Sequence, residues 1–393
     1  MVPDIAQLER RARALLPREI YDFYAGGSGR EETLRANVKA WRRRWLLPHV
    51  LRDVSSVDTS LSLWGTALRT PVAVAPTAFQ RLAHPEGEVA TAAAAAQAGA
   101  LFVLSTRSSC RIEDVGAAVA EPGGTWWFQV YVMRDRGLTA ALVRRAVAAG
   151  AAALVLTADA PVIGRKRRDR GEDVVTPAEF FVNTGPLADA GDAEQAADVT
   201  FADIGWLSSL GGGIPVLVKG VLRPDDAQAC VAAGAAGVIV SNHGGRQLDR
   251  ALPTALALAP VAGALRDGAA PAGPAGPAGR SAVFVDGGVR TGEDVLAALA
   301  AGAAAVFVGR PVLWALACGG APGVRDLLTG LTGGLAHAMA LAGAASLADV
   351  PGLAYPGTRA EPGTAGPAPG TPGPPPRRPG SRARGDDVAG GWA

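Results

Sequence analysis

Eight short apolar runs, each followed by an alanine-rich stretch, recur along this chain, and their alternation constrains the fold more than any single motif. The runs are Val72 to Ala75, Leu101 to Ser105, Trp127 to Tyr131, Ala153 to Thr157, Pro215 to Lys219, Gly237 to Ser241, Val283 to Asp286 and Ala305 to Gly309. Short, continuous apolar runs suit strands buried on both faces, and an intervening helix carries the chain back to start the next strand parallel to the last. Several helices end in one repeated phrase: Ala98-Gly99-Ala100, Ala149-Gly150-Ala151, Ala233-Gly234-Ala235 and Ala301-Gly302-Ala303. The glycine caps the helix because it takes a left-handed conformation without a Cβ clash, and the next strand begins almost at once. Eight such units close an α/β fold of the (β/α)8 TIM barrel type.

The flanks need a separate account. Residues 1–70 precede the first run and look helical from about Ile5 to Ala25, with Pro17 as a break, so they are expected to cover the barrel. The polar, acidic segment 170–200 lies between the fourth and fifth strands and is long enough to be a lid loop. Residues 270–279 repeat Pro-Ala-Gly and read as a surface linker. Residues 357–393 are rich in Pro, Gly, Arg and Ala without apolar periodicity, and are expected to be a disordered tail beyond a single domain of residues 1–356.

Charge and cysteine usage narrow the function. With 38 basic against 36 acidic residues the net charge is +2, which implies neither nucleic acid nor a charged membrane surface as a partner. Cys110, Cys230 and Cys318 lack any metal-ligand or redox spacing, and His49, His84 and His337 stand apart, so no metal site is expected. The chain shows no signal-peptide core and no bilayer-length apolar stretch, and a cytoplasmic protein is expected.

Against this background the run Ser241-Asn242-His243-Gly244-Gly245-Arg246-Gln247-Leu248-Asp249 carries chemistry. It sets an imidazole and a guanidinium three residues apart at the carboxyl end of a strand, where parallel barrels keep their active sites. Histidine titrates near neutrality and the arginine fork matches a carboxylate, so the pair suggests proton abstraction from a small carboxylic acid. A solvated histidine and arginine in a loop is the plain alternative, weakened by two glycines that let backbone approach a ligand. Other strand ends are polar too: Thr77, Ser105, Gln129, Tyr131, Thr157, Asp159 and Lys219. Asp286-Gly287-Gly288 with Arg290 follows the seventh strand and Gly309-Arg310 the eighth, the two places where such barrels hold phosphate. Gly211-Gly212-Gly213 precedes a strand instead of opening a helix, so a Rossmann fingerprint is missing and NAD is not the expected cofactor.

These motifs resemble the FMN-dependent L-2-hydroxy acid oxidases and dehydrogenases, a family that includes glycolate oxidase, lactate oxidase and mandelate dehydrogenase. The resemblance runs from about Leu16 to Ala354. It rests on Ser241 to Asp249, Leu217-Val218-Lys219-Gly220-Val221, Asp286-Gly287-Gly288-Val289-Arg290, Pro76-Thr77-Ala78 and Ala83-His84-Pro85-Glu86-Gly87. It implies that His243 is the base during oxidation at C2, that Asp159 supports the imidazolium, that Arg246 holds the substrate carboxylate and that Tyr131 hydrogen-bonds the substrate oxygen. It implies that Lys219 lies beside N1 and C2=O of the flavin. Thr77, Ala78, Ser105, Gln129, Thr157 and Ser241 would contact the ring and ribityl, and Asp286, Gly287, Gly288, Arg290, Gly309 and Arg310 the ribityl and phosphate. A small 2-hydroxy acid, O2 and a homotetrameric assembly are the partners the resemblance implies.

Three positions depart from the family pattern. Phe23 replaces a tyrosine that donates to the substrate carboxylate, Lys166 replaces a second arginine, and Arg107 stands where glycolate oxidase has a tryptophan. Losing one hydroxyl donor costs roughly 0.5 to 1.5 kcal/mol, more where its partner is charged, so activity is expected to survive. Lys166 keeps charge without the bidentate fork, and Arg165 or Arg167 remains an alternative occupant of that role. Phe23 and its neighbours are most similar to the 4-hydroxymandelate oxidases, making an aryl hydroxy acid the leading substrate. Ala78 favours O2 as acceptor. A quinone- or carrier-linked dehydrogenase on an aliphatic substrate, a flavin-binding protein without turnover, and action on a peptide or other modified precursor remain open at this stage.

Overall fold

In the computed structural model, which describes residues 4–168, 177–184, 194–267 and 281–355, a small antiparallel hairpin precedes eight parallel strands that close on themselves. The hairpin pairs β1 (Leu61–Leu63) with β2 (Thr66–Leu68). The barrel strands are β3 (Val72–Val74), β4 (Phe102–Ser105), β5 (Trp126–Val130), β6 (Leu154–Thr157), β7 (Val216–Val221), β8 (Gly237–Val240), β9 (Ala282–Val285) and β10 (Ala305–Val308). Their order around the barrel is the chain order, with β10 pairing back to β3. All eight expected runs are therefore strands, with ends displaced by a residue or two.

The repeated Ala-Gly-Ala phrase works through the glycine's conformation. Gly99, Gly150, Gly234 and Gly302 have φ of 69, 90, 100 and 107°. Gly99 is itself the cap of the helix Gly87–Ala98, while the other three fall one residue beyond the cap. The backbone turns there and the following alanine leads into the strand.

Period-two alternation divides each strand between two cores. Val72, Phe102, Leu154, Val216 and Val238 face outward to the helices, whereas Ala73, Val103, Trp127, Val155, Leu217, Ile239, Phe284 and Phe307 fill the barrel. Trp127 packs on Phe284 and Phe307 at ring-centroid distances of 5.5 and 6.0 Å. The hairpin closes the amino end by setting Trp64 against Trp127 and Phe284, at 5.7 and 6.2 Å. Toward the carboxyl end the inward positions become Ser105, Gln129, Thr157, Lys219, Ser241 and Asp286, all buried. One end of the barrel interior is an aromatic plug and the other is a polar floor.

The amino-terminal cover is α1 (Ile5–Leu15), α2 (Arg18–Ala25) and α3 (Glu32–Trp41), with Pro17 breaking the first two. Helix α3 lies outside the expected helical stretch. The parts of the expected lid that fall within 169–176 and 185–193, the Pro-Ala-Gly segment and the expected tail lie outside the described residues. Among the described residues no helix is long and apolar enough to cross a membrane.

Candidate active site

The polar floor opens into a cleft at the carboxyl ends of the strands. Its lining gathers Phe23, Thr77, Ala78, Ser105, Arg107, Gln129, Tyr131, Thr157, Lys219, His243, Arg246, Asp286, Gly287, Gly288, Arg290, Gly309 and Arg310. Sequence positions more than 280 residues apart thus meet because every strand ends at the same rim. Asp159, Lys166 and Ser241 stand just behind that lining, each in contact with a residue on it.

His243 sits on a turn that ordinary residues avoid. Its φ is 57°, followed by 62° at Gly244 and 74° at Gly245. A left-handed histidine carries backbone strain, and the surroundings hold it there. Asn242 accepts from Gly245 N and exchanges two amide hydrogen bonds of 2.8 Å with Asn37 of α3, while Ser241 Oγ accepts from His243 N at 3.1 Å. The cover therefore fixes the loop that bears the histidine.

The imidazole is polarised from one side and open on the other. Nδ1 is 2.9 Å from Asp159 Oδ1, and Nε2 is 3.5 Å from the Tyr131 hydroxyl. Burial lowers the His243 pKa below its ordinary value, with Asp159 opposing and Lys219 and Arg246 adding to the drop. For Asp159 burial acts upward, but His243 and Lys219 pull harder and the carboxyl stays ionised. The resting pair is a neutral histidine whose Nδ1–H faces a carboxylate, leaving the Nε2 lone pair toward the cleft. Burial raises the Tyr131 pKa, so the phenol keeps its proton.

Cations dominate the rest of the lining. Arg107, Lys219, Arg246, Arg290 and Arg310 face a single carboxylate, Asp286. Lys219 Nζ lies 3.1 Å from Asp286 Oδ2 and donates to Ser241 Oγ at 2.9 Å. Burial opposes the lysine's charge, but Asp286, Asp159 and Tyr131 outweigh it and the pKa rises. Arg246 Nη1 donates to the carbonyls of Phe23, Tyr24 and Gly26, and its guanidinium lies 5.4 Å from the Phe23 ring centroid. Arg310 donates to Tyr24 O, Gly244 O and Gly26 O, and its pKa is pushed down to about 9 by burial and by Arg246 and Arg290. An excess of buried positive charge is costly unless an anion joins it.

Lys166 settles which residue of its run turns inward. Its Nζ donates to Arg246 O, whereas Arg165 and Arg167 are exposed and Arg168 pairs with Glu31 and Asp22 of the cover. Burial, then Arg246 and Arg310, lowers the Lys166 pKa to about 8.

The residues present fit FMN. The helix Arg310–Leu341 starts in the cleft at Gly309, beside Arg290; among the described residues its N-terminal N–H groups have no side-chain cap and Arg290 Nη1 reaches only Val289 O. An uncapped helix start with arginine beside it suits a phosphate. Among the described residues the buried Asp286 Oδ1 has no partner, as a carboxylate that would meet a ribityl hydroxyl should. Ser105, Gln129 and Thr157 form a hydrogen-bonded polar row across the floor, with Gln129 Nε2 donating to Thr157 Oγ1 at 2.9 Å.

Sequence reasoning missed Tyr24, Asn37 and Trp41. Tyr24 lines the cleft and donates to Phe79 O at 2.6 Å, and Trp41 Nε1 donates to Gly287 O at 2.7 Å. Their partners are backbone carbonyls or residues more than 200 positions away in two of the three cases, for which the sequence carries no signal.

Known proteins with the same pattern are numerous. The family model described as FMN-dependent dehydrogenase matches residues 12–354. The chain is 44% identical over 355 residues to 4-hydroxymandelate oxidase of Amycolatopsis orientalis, covering 87% of this chain and 95% of that one. It is 42% identical to L-lactate oxidase of Nostoc sp., covering 88% of this chain and 96% of the relative. A solved structure of mandelate oxidase with (S)-2-phenylpropionate superimposes with a TM-score of 0.79 at 42% identity, over 88% of this chain and 96% of that one. The match spans barrel, cover and cleft alike, and the chain belongs to the FMN-dependent dehydrogenase family.

Proposed function

We propose that the protein oxidises an (S)-2-hydroxy acid to the 2-oxo acid with FMN and passes both electrons to O2, giving H2O2, with an aryl hydroxy acid such as mandelate or 4-hydroxymandelate as substrate. The observation that carries this is the neutral His243, backed by Asp159, facing Tyr131 in a cleft rich in cations. The relatives named 4-hydroxymandelate oxidase and mandelate oxidase support the aryl substrate and the oxygen acceptor. Phe23 gives the cleft an apolar wall of the kind an aromatic ring prefers.

Bound FMN supplies the two-electron acceptor for the hydride equivalent that leaves C2. The protein does the remainder. Arg246, with Lys166 behind it, holds the substrate carboxylate and so fixes which face of C2 is presented. The Tyr131 hydroxyl orients the oxygen on C2, and His243 Nε2 takes the proton released as C2–O becomes a carbonyl. Asp159 stabilises the imidazolium that results, as a carboxylate beside a developing cation does. Lys219 supplies a buried positive charge that favours electron density arriving on the ring. Thr77, Ala78, Ser105, Gln129, Thr157 and Ser241 would hold the ring and ribityl, and Asp286, Gly287, Gly288, Arg290, Gly309 and Arg310 the ribityl and phosphate. A cytoplasmic homotetramer completes the proposal, and light scattering of the holoenzyme tests the assembly.

The experiment is anaerobic mixing of the holoenzyme with (S)-mandelate and (S)-4-hydroxymandelate, followed by admission of air. Bleaching of the flavin, then its return with stoichiometric H2O2, is expected. A flavin that bleaches but does not recover in air overturns the oxygen acceptor, and one that never bleaches with any 2-hydroxy acid overturns the activity.

A further inference from the structure

The cations that line the cleft exceed what its proposed occupants neutralise, even before Lys166 behind them is counted. Lys219 is paired with Asp286, which leaves Arg107, Arg246, Arg290 and Arg310 facing the space. A phosphate dianion and one substrate carboxylate supply three negative charges. The unmatched cation is identified by what it touches. Arg246, Arg290 and Arg310 follow β8, β9 and β10, adjacent in the barrel, and each donates to backbone carbonyls. Arg107 follows β4, across the barrel from β8, and among the described residues its side chain has neither a carboxylate nor a hydrogen-bond acceptor. Its guanidinium carbon stands 6.0 Å from the centre of the Tyr131 ring.

Tyr131 links this arginine to the reacting atoms. Its hydroxyl is 3.5 Å from His243 Nε2, and the Arg107 guanidinium lies over its ring. A substrate whose C2 oxygen meets the Tyr131 hydroxyl can lay its side chain along that ring. A side chain about one aromatic ring long, packed beside Tyr131, matches the 6.0 Å between the ring centre and the guanidinium. Resting on the oxidase activity proposed above, we propose that Arg107 is a specificity-determining residue that pairs with a second carboxylate at the far end of the substrate, making the substrate class an aryl 2-hydroxy acid with a distal acidic group. A planar guanidinium pairs with a carboxylate through two parallel hydrogen bonds, which a neutral ring substituent cannot accept equally well.

The test compares anaerobic flavin reduction by (S)-mandelate and its 4-carboxy analogue, and by (S)-2-hydroxyvalerate and (S)-2-hydroxyglutarate, in the holoenzyme and in Arg107→Leu and Arg107→Lys. For the aryl pair the carboxylated member is expected to have about tenfold higher kcat/KM, the order a buried charged hydrogen bond supplies. The advantage is expected to be smaller for the aliphatic pair, whose second carboxylate stops short of Arg107. Arg107→Leu should bring the aryl ratio to one or below, with Arg107→Lys between. A parallel measurement uses the non-reacting products phenylglyoxylate and 4-carboxyphenylglyoxylate, with Kd read from the flavin absorbance. If no hydroxy acid reduces the flavin, the oxidase activity fails while these Kd values still judge Arg107. An aryl ratio, in rate or in Kd, that Arg107→Leu leaves unchanged overturns the proposal, as does a holoenzyme that favours the neutral member. Equal gains for aryl and aliphatic pairs overturn the aryl part of it.

Discussion

Asp159 Oδ1 lies 2.9 Å from His243 Nδ1, and the other oxygen of the same carboxylate is buried with no hydrogen-bond partner among the described residues. The carboxylate is thus committed to the histidine, and it selects the tautomer that leaves Nε2 free to accept a proton. His243→Gln retains an amide of similar reach but no base. Flavin reduction by (S)-mandelate is expected to fall by about 10² to 10⁴, the usual contribution of a general base, with FMN still bound. Stopped-flow absorbance of the flavin measures it, and wild-type reduction rates in the variant would remove His243 from the mechanism.

Asp159→Asn separates orientation from charge. The amide can still accept from Nδ1–H but no longer offsets an imidazolium, so the reduction rate is expected to drop by about 10² while the dissociation constant of a non-reacting 2-oxo acid changes little. A drop confined to ligand binding would contradict this role.

The pH profile follows from the neutral resting state of His243. Its pKa is lowered chiefly by burial, so the protonated, inactive form accumulates only below the ordinary histidine range. On the acid side kcat/KM should rise with pH through a pKa below 6.5 and level off by neutrality. Asp159 acts upward on that pKa, so in Asp159→Asn the acid limb should move to lower pH even as the plateau falls. Movement of the limb to higher pH would mean that the group titrating is not His243.

Lys166 adds an alkaline limb. Its pKa of about 8 means the ammonium is lost as pH rises through that value, removing one of the charges assigned to the substrate carboxylate. In the free enzyme kcat/KM should decline above about pH 8, whereas in kcat the decline should move to higher pH, because bound carboxylate favours the charged lysine. Lys166→Met should remove the limb and raise KM about tenfold at neutral pH, and Lys166→Arg should keep KM low beyond pH 9. Rates across pH 6 to 10 under saturating and limiting substrate distinguish the two limbs.

The barrel was legible because each of its strands is a short apolar run followed by an alanine-rich helix and a glycine, and the spacing repeats. The hairpin was not. Each strand is three residues long, and its turn places Trp64 and Gly65 at φ of 47 and 83° without the asparagine or aspartate that usually marks such a turn. The residues at strand ends were legible as a group, since inward positions that turn from apolar to polar must face a solvated cleft. What they contact was less so. The three donors of Arg310 all end on backbone carbonyls of Tyr24, Gly26 and Gly244, and a carbonyl leaves no trace in side-chain pattern. Helix α3 escaped for a related reason: its buried face is partly polar, because Thr33, Asn37 and the Trp41 indole N–H bond to loops while Ala40 and Trp41 join the apolar core.

That polar face yields the last expectation. Asn37 and Asn242 exchange amide hydrogen bonds at 2.8 Å in both directions, both side chains are buried, and Asn242 directly precedes the strained His243. Asn37→Ala removes both of these buried hydrogen bonds and leaves the Asn242 amide only Leu252 O and Gly245 N among the described residues, at a cost of about 1 to 3 kcal/mol. The cost should appear as a lower denaturant midpoint with an unchanged slope. Because Asn242 also accepts from Gly245 N, release of its amide relaxes the turn that aims the imidazole, so flavin reduction should slow several-fold in protein that remains folded and FMN-loaded. Asn37→Asp can still accept from the Asn242 amide, and is expected to recover part of the stability without restoring the second hydrogen bond. Loss of stability with an unaltered reduction rate would show that the cover holds the barrel together without positioning the base.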